Sequence, residues 1–254
     1  MMQTSRMQER TKGIELEMID AHCHLNLFDD PVKTVAESLS NGVSAMISAG
    51  GSAEDNIAVL NLLSNDSVFG VVGISPDYVL KDYAYIAELA ELVRMNRKIV
   101  GIGEVGLDYK SAPSDKEKEK QREAFSLQID LANELHIPLV VHSRVALTEC
   151  IELLSRKDAK NVMFHHYEGS EIEANLIKDN GYFISIPPTE SSKRKRAVKA
   201  MPIEQILVET DSPVVGAIPS DVLKSIELVA KYKEMSVEEV ARQTSSNTRN
   251  LFFI

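Results

Sequence analysis

Tryptophan is absent from the sequence, and cysteine occurs only at Cys23 and Cys150. Two cysteines cannot form the disulfide framework of a small secreted protein, so we interpret both as buried apolar residues and expect a reducing, cytoplasmic location. The sequence has no apolar run near the roughly 18 residues that a membrane span requires. Its N-terminus lacks the apolar segment of a secretory signal. These absences argue against a disulfide-rich secreted domain and against a membrane protein.

Positive charge is also scarce, because 28 Lys and Arg stand against 38 Asp and Glu and the net charge is −10. So acidic a chain does not coat nucleic acid through a broad basic surface. It can still hydrolyse a nucleic acid, since metal ions in a pocket supply positive charge where a phosphate binds. Aromatic residues make up only 6% of the chain, so aliphatic residues must form most of the core.

What is present is a series of short apolar runs that alternate with stretches of helical spacing. The eight runs lie at about 18–24, 43–49, 68–74, 99–104, 138–142, 161–165, 182–186 and 206–211. Strands that alternate with helices predict a parallel sheet, and about 250 residues is a usual length for an α/β barrel. We therefore predict an α/β fold, a TIM-type (β/α)8 barrel that forms a single domain over residues 18–254. Residues 1–17 are polar and of mixed charge, and we expect a flexible N-terminal extension there.

Side chains that can bind a metal follow the predicted strands. His22 and His24 are two residues apart, a spacing that points both imidazoles to one face of a strand. Four other predicted strands end in the donors Glu104, His142, His165 and Asp211. Since the C-terminal ends of barrel strands meet at one face, the pattern predicts a metal site built by six donors from five segments.

Two carboxylates precede the donors at the same spacing. Asp20 lies two residues before His22, and Glu209 lies two residues before Asp211. We expect both to point into the barrel beneath the donors and to orient them, for instance by accepting the second N–H of an imidazole. For Glu209, a structural salt bridge inside the barrel explains the residue equally well.

Five motifs occur in order along the chain. They are Asp-Ala-His22-Cys-His24, Gly-Glu104-Val-Gly-Leu-Asp-Tyr109, Val-His142-Ser-Arg144, Phe-His165-His-Tyr-Glu-Gly and Glu-Thr-Asp211-Ser-Pro. Together they resemble the TatD-type metal-dependent deoxyribonucleases of the amidohydrolase superfamily, over roughly residues 18–252. The loop after Ser212-Pro213 is shorter than the family pattern, which affects the rim of the site and the choice of substrate.

The resemblance implies a centre with two divalent metal ions, Mg²⁺, Mn²⁺ or Zn²⁺. One ion would be held by His22, His24, Glu104 and Asp211, and the other by Glu104, His142 and His165. Two such ions about 4 Å apart activate a hydroxide and neutralise the charge that grows on a phosphate. Glu104 would bridge the ions, and Asp211 would serve as both ligand and proton acceptor in catalysis.

The adjacent residues His165 and His166 present a choice that periodicity does not settle, because they point to opposite faces and both faces of a barrel strand are apolar. The resemblance favours His165 as the ligand, and we then expect His166 to face the rim of the loops, with substrate contact as the alternative. Arg144 and Tyr109 are candidates for substrate binding. The planar guanidinium of Arg144 suits a phosphate, although an ion pair with Asp108 accounts for it equally well.

A basic run, Lys193-Arg194-Lys195-Arg196, follows the seventh predicted strand. Loops on that side of a barrel often meet phosphate, which makes the run a candidate for guiding a polyanion. A solvated helix face is the commoner meaning of such a run.

These features predict a metal-dependent hydrolase that cleaves phosphodiester bonds of DNA. A pocket without a wide basic groove fits an end-directed exonuclease better than a duplex-binding enzyme. The alternative is a hydrolase of a carbonyl substrate, a lactone, amide or aminoacyl ester, on the same metals. A non-catalytic metal-bound barrel is disfavoured because all six donors are present.

Overall fold

A single sheet of parallel strands forms the centre of the protein in the computed structural model, which describes residues 16–254. Its order follows the chain from β1 to β8. The strands are β1 (Met18–Cys23), β2 (Val43–Ala49), β3 (Val68–Val72), β4 (Ile99–Asp108), β5 (Leu139–Arg144), β6 (Val162–Phe164), β7 (Phe183–Ile186) and β8 (Ile206–Val208). The last segment meets the first where the backbone N–H of Asp211 donates to His22 O over 2.9 Å and that of His24 donates to Ser212 O over 2.8 Å. The predicted TIM-type barrel is confirmed.

Helices connect the strands on the outside of the sheet. They are α1 (Pro31–Ser40), α2 (Ala53–Leu62), α3 (Val79–Asp82), α4 (Leu89–Met95), α5 (Asp115–Leu135), α6 (Leu147–Arg156), α7 (Glu171–Asp179), α8 (Ser192–Ala200), α9 (Val222–Lys233) and α10 (Val237–Phe252). Within residues 16–254, no helix combines the length and apolar character needed to cross a membrane.

Local capping explains where several helices begin. The Asp30 side chain accepts from the N–H of Lys33 at the start of α1, with Pro31 in the first turn. Reciprocal capping boxes start three further helices, in which a serine and a glutamate three residues later satisfy each other's backbone N–H. These pairs are Ser114 with Glu117, Ser170 with Glu173, and Ser236 with Glu239.

The core has two parts. The larger cluster lies between the strands and the helices. The smaller one contains Ile47, Val71, Val140, Met163 and Leu207 from five strands, together with Leu251 and Phe252 at the end of α10. Because Val140 and Met163 lie two residues before His142 and His165, this cluster fills the barrel directly beneath the donors. Cys23 and Cys150 are both buried and free, as expected.

The predicted N-terminal extension falls largely on residues 1–15, which lie outside the described residues. Leu16 and Glu17, which the prediction included in it, contact the barrel. Leu16 packs against the larger cluster, and the carbonyl of Glu17 accepts from Ser245 Oγ over 3.1 Å. The described fold therefore starts at least two residues earlier than predicted.

Candidate metal centre

The first group of donors lies where β1 meets the segment after β8. The Nε2 atoms of His22 and His24 are 3.3 Å apart. Asp211 Oδ1 lies 3.7 Å from Nε2 of His22 and 3.2 Å from Nε2 of His24. The backbone bonds that close the barrel bring these residues together, so the carboxylate of Asp211 faces both imidazoles.

The second group comes from β4, from β5 and from the residue that follows β6. Glu104 Oε1 is 2.8 Å from His142 Nδ1 and 3.0 Å from His165 Nε2. The two imidazole nitrogens are 3.2 Å apart. Three neighbouring segments thus place three donor atoms around one point.

Glu104 joins the two groups. While its Oε1 faces the second group, its Oε2 lies 3.7 Å from His24 Nε2 and 3.9 Å from His22 Nε2. Glu104 sits inside the long strand β4, where the pairing with β5 shifts register between Ile102 and Val105. Gly106 has φ +138°, and a Cβ there would lie 2.0 Å from His142 O, so only glycine lets β4 approach β5 so closely beside the centre.

The six predicted donors therefore converge, and their chemistry fits a pair of metal ions. Ligands about 2.1 Å from one tetrahedral ion lie about 3.4 Å from each other, which matches the separations within each group. Burial, together with the imidazoles of His165 and His24, holds the pKa of His22 well below its usual value. A neutral imidazole is the form that binds a metal. The Nδ1 atoms of His22 and His165 are buried without a hydrogen-bond partner among the described residues, while their Nε2 atoms face the other donors.

The charges of the centre reinforce one another. Burial lowers the pKa of His24, but the hydrogen bond to Asp211 and the charge of Glu104 outweigh it and raise the pKa to about 9. Burial is likewise outweighed at His142, where hydrogen bonds to Asp108 and Glu104 raise the pKa to about 10. Burial opposes ionisation of Glu104 and Asp211, yet the facing imidazoles hold both carboxyl pKa values below their usual range. The carboxylates are therefore ionised and favour positive charge, as a cation site requires.

Asp20 differs from its expected role. Its buried carboxylate accepts from the backbone N–H of Thr210 over 2.9 Å, from the Thr210 hydroxyl, and from the backbone N–H of His22 over 3.3 Å. Asp20 thus binds the backbone of Thr210 and of His22, on either side of the point where the barrel closes. It does not accept a hydrogen bond from an imidazole N–H. The pairing of β1 with β2 shifts register between Asp20 and Cys23, so simple alternation does not carry Asp20 beneath His22.

Glu209 lies beneath the second group. It accepts from the backbone N–H of His166 over 2.6 Å and from the Ser185 hydroxyl. Its Oε1 is 3.9 Å from Nδ1 of His165, which is too long for a hydrogen bond. Burial and the nearby charge of Asp211 raise the pKa of Glu209 well above its usual value. Glu209 therefore accepts hydrogen bonds from a backbone N–H and a hydroxyl. It accepts no imidazole N–H, and neither donor is the cation that a structural salt bridge would require.

Asp108 is a site residue whose role the sequence pattern did not reveal. Its Oδ2 lies 3.4 Å from His142 Nε2, on the opposite side of the ring from Glu104. Its Oδ1 accepts from the backbone N–H groups of Lys110 and Ser111 over 2.8 and 3.1 Å, which fixes the carboxylate. Asp108 therefore orients His142 in the manner expected of a partner outside the ligand set.

Of the two residues predicted to contact substrate, Arg144 lines the cavity and Tyr109 does not. Arg144 lines the cavity above the donors, with its side chain 54% exposed and its Nη1 3.9 Å from Asp108 Oδ2. So long an ion pair leaves its other donors available. Tyr109 does not follow the prediction, since its hydroxyl donates to Glu149 over 2.8 Å. The cavity is lined at this point by Glu149 and not by Tyr109.

His166 was expected to face the rim of the loops, but its side chain turns toward the centre. Its Nδ1 lies 2.9 Å from Asp211 Oδ2. The residue has φ +45°, which departs from an extended strand and ends the alternation that would point it away from His165. A second histidine directly after a ligand was the only signal in the sequence that could have indicated this contact.

The basic run lies within the first turns of α8, and its side chains differ in exposure. Lys193 lines the cavity and is exposed. Arg194 is fully buried and donates to Tyr167 O over 2.9 Å, to Thr189 Oγ1 over 3.0 Å and to the Glu168 carboxylate. Of these two residues, only Lys193 can meet a polyanion, because the guanidinium of Arg194 is occupied by the loops after β6 and β7.

Five of the six donors, all except the fully buried His22, line an open cavity of about 1100 Å³. Besides the donors, its lining combines the cations of Arg144 and Lys193 with the apolar side chains Leu27, Tyr78, Val145 and Val214. Several carboxylates also line it, among them Asp77, Glu149 and Glu168. The cavity is therefore wide, mixed in polarity and without a broad basic surface.

A (β/α)8 barrel that gathers imidazoles and carboxylates at the C-terminal ends of its strands is the structure of a metal-dependent hydrolase. The sequence model of the family described as TatD related DNase matches residues 19–253. The chain belongs to this family, as the sequence motifs predicted.

Similar proteins include two relatives in sequence and one solved structure. Deoxyribonuclease TATDN3 of Homo sapiens is 34% identical, with 96% of this chain and 96% of that protein covered. An uncharacterized metal-dependent hydrolase of Methanocaldococcus jannaschii is 31% identical, with 94% of this chain and 98% of that protein covered. The crystal structure of YJJV, a TatD homolog from Escherichia coli, shares the fold with a TM-score of 0.85 at 24% identity, and covers 95% of this chain and 100% of that chain.

Proposed function

We propose that this protein is a deoxyribonuclease that hydrolyses phosphodiester bonds at the ends of DNA strands with two divalent metal ions. The observation that carries the proposal is the position of Glu104, whose two oxygens face two separate groups of donors. The human relative is named deoxyribonuclease TATDN3, which supports DNA as the substrate.

The six donors divide between the two ions. One ion would be held by His22, His24 and Asp211 with Oε2 of Glu104, and the other by His142, His165 and Oε1 of Glu104. Bound there, the two ions would supply positive charge that lowers the pKa of a water and offsets the charge of the phosphate. A donor set rich in imidazole favours Zn²⁺ or Mn²⁺ over Mg²⁺.

Asp211 is the residue that would accept the proton of the attacking water. Its side chain is 7% exposed, and it lines the floor of the cavity where substrate enters. Only an ionised carboxylate can accept a proton, and although burial opposes ionisation, the imidazoles that face Asp211 lower its pKa and keep the carboxyl ionised.

The walls of the cavity would select the end of a strand. Arg144 can bind a phosphate through two parallel N–H donors, and Lys193, in the first turn of α8, adds a second positive charge to the lining. The carboxylates of Asp77, Glu149 and Glu168 line the same cavity. A long or double-stranded polyanion would meet these negative charges, whereas a single-stranded end presents few phosphates to the centre.

Incubation with end-labelled DNA tests the proposal. Purified protein is mixed with single-stranded DNA labelled at either end, in the presence of Mn²⁺, Zn²⁺ or Mg²⁺, and the products are separated by length. We expect stepwise shortening from one end, which Asp211→Asn slows by roughly 10²–10⁴-fold, the usual contribution of a positioned proton acceptor.

Asp66→Asn is the matched control, because Asp66 is exposed and does not line the cavity, and it should retain activity. Intact DNA with every metal would contradict the proposal. Hydrolysis of a lactone or an aminoacyl ester beside intact DNA would instead identify a carbonyl hydrolase. Cleavage of circular single-stranded DNA would contradict end-directed action.

A further inference from the structure

His166 lies outside the two donor groups but lines the same cavity. Its side chain is 29% exposed, and its Nδ1 is 2.9 Å from Asp211 Oδ2. Its backbone N–H donates to Glu209 Oε1 over 2.6 Å. Both acceptors belong to the segment that ends β8, two residues apart, so His166 connects the end of β6 to the end of β8 through its side chain and its backbone.

The direction of the side-chain hydrogen bond follows from the acceptor. An ionised carboxylate has no proton to donate, so Nδ1 of His166 must be the donor to Asp211. The other oxygen of Asp211 faces the Nε2 atoms of His22 and His24. Rotation of the carboxylate about its Cβ–Cγ bond would break both interactions, and the bond from His166 opposes that rotation.

The backbone supports the same arrangement. His166 has φ +45° and Asp211 has φ +50°. Both residues therefore adopt the left-handed conformation, which is uncommon for residues other than glycine. Strain of this kind persists where the surrounding contacts determine the conformation, and it concentrates at sites that must be preorganised. Here the left-handed turn is what directs the imidazole of His166 toward Asp211.

We propose that His166 is a positioning residue, which holds Asp211 in the one orientation that presents Oδ1 to His22 and His24. The inference rests on the proposed function, because it assigns Asp211 to the first of the two ions. It predicts an effect on metal binding as well as on catalysis. Removal of a partner that orients a metal ligand typically weakens affinity or activity by about 10–100-fold.

Two substitutions separate the hydrogen bond from the backbone. His166→Gly removes the side chain and suits the left-handed backbone, so folding is not threatened. His166→Asn keeps an N–H donor close to the position of Nδ1, and asparagine also tolerates this conformation. His136→Gly is the matched control, because His136 has φ +55° at the C-terminal end of α5, away from the cavity.

Calorimetric titration of the metal-free protein with Mn²⁺ provides the first readout. We expect His166→Gly to weaken Mn²⁺ binding by about 10–100-fold, in the same binding step that Asp211→Asn weakens. His166→Asn should restore most of the affinity, and His136→Gly should bind as the native protein does. Native affinity in His166→Gly, or equal weakening in His166→Asn, would overturn the inference.

Steady-state kinetics on a short single-stranded oligonucleotide at saturating Mn²⁺ provide the second readout. A positioning role predicts that His166→Gly lowers kcat while KM stays the same, and that His166→Asn recovers kcat. A rise in KM alone would show instead that His166 binds substrate. If the native protein cleaves no DNA, the proposed function fails, while the Mn²⁺ titrations still decide the role of His166.

Discussion

At the scale of single residues, three residues with a left-handed backbone conformation line the cavity. Val145, His166 and Asp211 all have positive φ and all line it. Val145 is the clearest case, because it is β-branched, has φ +61° and is 79% exposed. Its own burial cannot maintain this conformation. Val145 lies next to Arg144 and lines the cavity, and we expect its exposed side chain to contact substrate.

Val145→Gly should stabilise the protein and weaken substrate binding. The left-handed conformation destabilises a residue with a side chain by about 1–2 kcal/mol, which glycine avoids. The greater conformational entropy of glycine in the unfolded chain offsets about 0.5–1 kcal/mol of that stabilisation. We expect the free energy of unfolding to rise by about 0.5–1 kcal/mol, measured by urea denaturation. Loss of the apolar contact that we expect Val145 to make with bound substrate should raise KM by about two- to fivefold.

Phe253→Gly is the matched control for Val145→Gly. Phe253 has φ +56° and is 67% exposed, but it ends α10 and does not line the cavity. It should gain stability through the same relief of strain and leave KM unchanged. An unchanged KM in Val145→Gly would remove Val145 from the substrate site.

At the scale of elements, α8 fixes the loops that carry part of the centre. Arg194, in its first turn, reaches Tyr167 and Glu168 after β6 and Thr189 after β7. The guanidinium is fully buried, whereas the Glu168 side chain is 62% exposed. The geometry of His165 and His166 therefore depends on a helix that contributes none of the donors.

Arg194→Met should destabilise the protein, since it leaves the carbonyl of Tyr167 without its donor while keeping a side chain of similar length. We expect a loss of about 2–3 kcal/mol in the free energy of unfolding, seen as a lower urea midpoint at constant m value. The loss stays below that of a broken buried ion pair because Glu168 remains in solvent.

Arg196→Met is the comparison within the same helix, because Arg196 is exposed. Its free energy of unfolding should stay within about 0.5 kcal/mol of the native value. If Arg194→Met is equally neutral, the buried guanidinium does not hold the two loops.

At the scale of the whole molecule, the proposed ions would connect five segments of the barrel at one end. The donors come from β1, β4 and β5 and from the residues that follow β6 and β8. Beneath them, the interior is filled by an apolar cluster that needs no metal. We therefore expect the metal-free protein to fold and the bound ions to add stability.

Metal should raise the melting temperature. A ligand at about 100 times its dissociation constant adds about 2.7 kcal/mol to stability, which corresponds to a rise of about 5–10 °C in Tm for a chain of this size. Scanning calorimetry with Mn²⁺ and with a chelator measures the difference. Glu104→Gln should reduce it and Asp77→Asn should not. The same Tm with and without metal would contradict a centre that links the strands.

Much of the fold could be predicted from the sequence. The eight strands follow from short apolar runs, whose side chains are buried on both faces of a parallel barrel. The run over β2 matches its strand at both ends. The six donors were predicted as a set because residues at the C-terminal ends of neighbouring strands must meet in such a barrel, whatever their separation in sequence.

The remainder depended on contacts between distant segments, which periodicity does not describe. His166 faces Asp211 because its φ is positive, and Asp20 holds Thr210 because the register of β1 shifts. Arg194 is buried although its neighbours in the basic run are exposed. A repeat pattern reports the average direction of side chains along regular backbone. Where the backbone bends to bring ligands together, the direction of each side chain is set by the partners that the folded chain supplies.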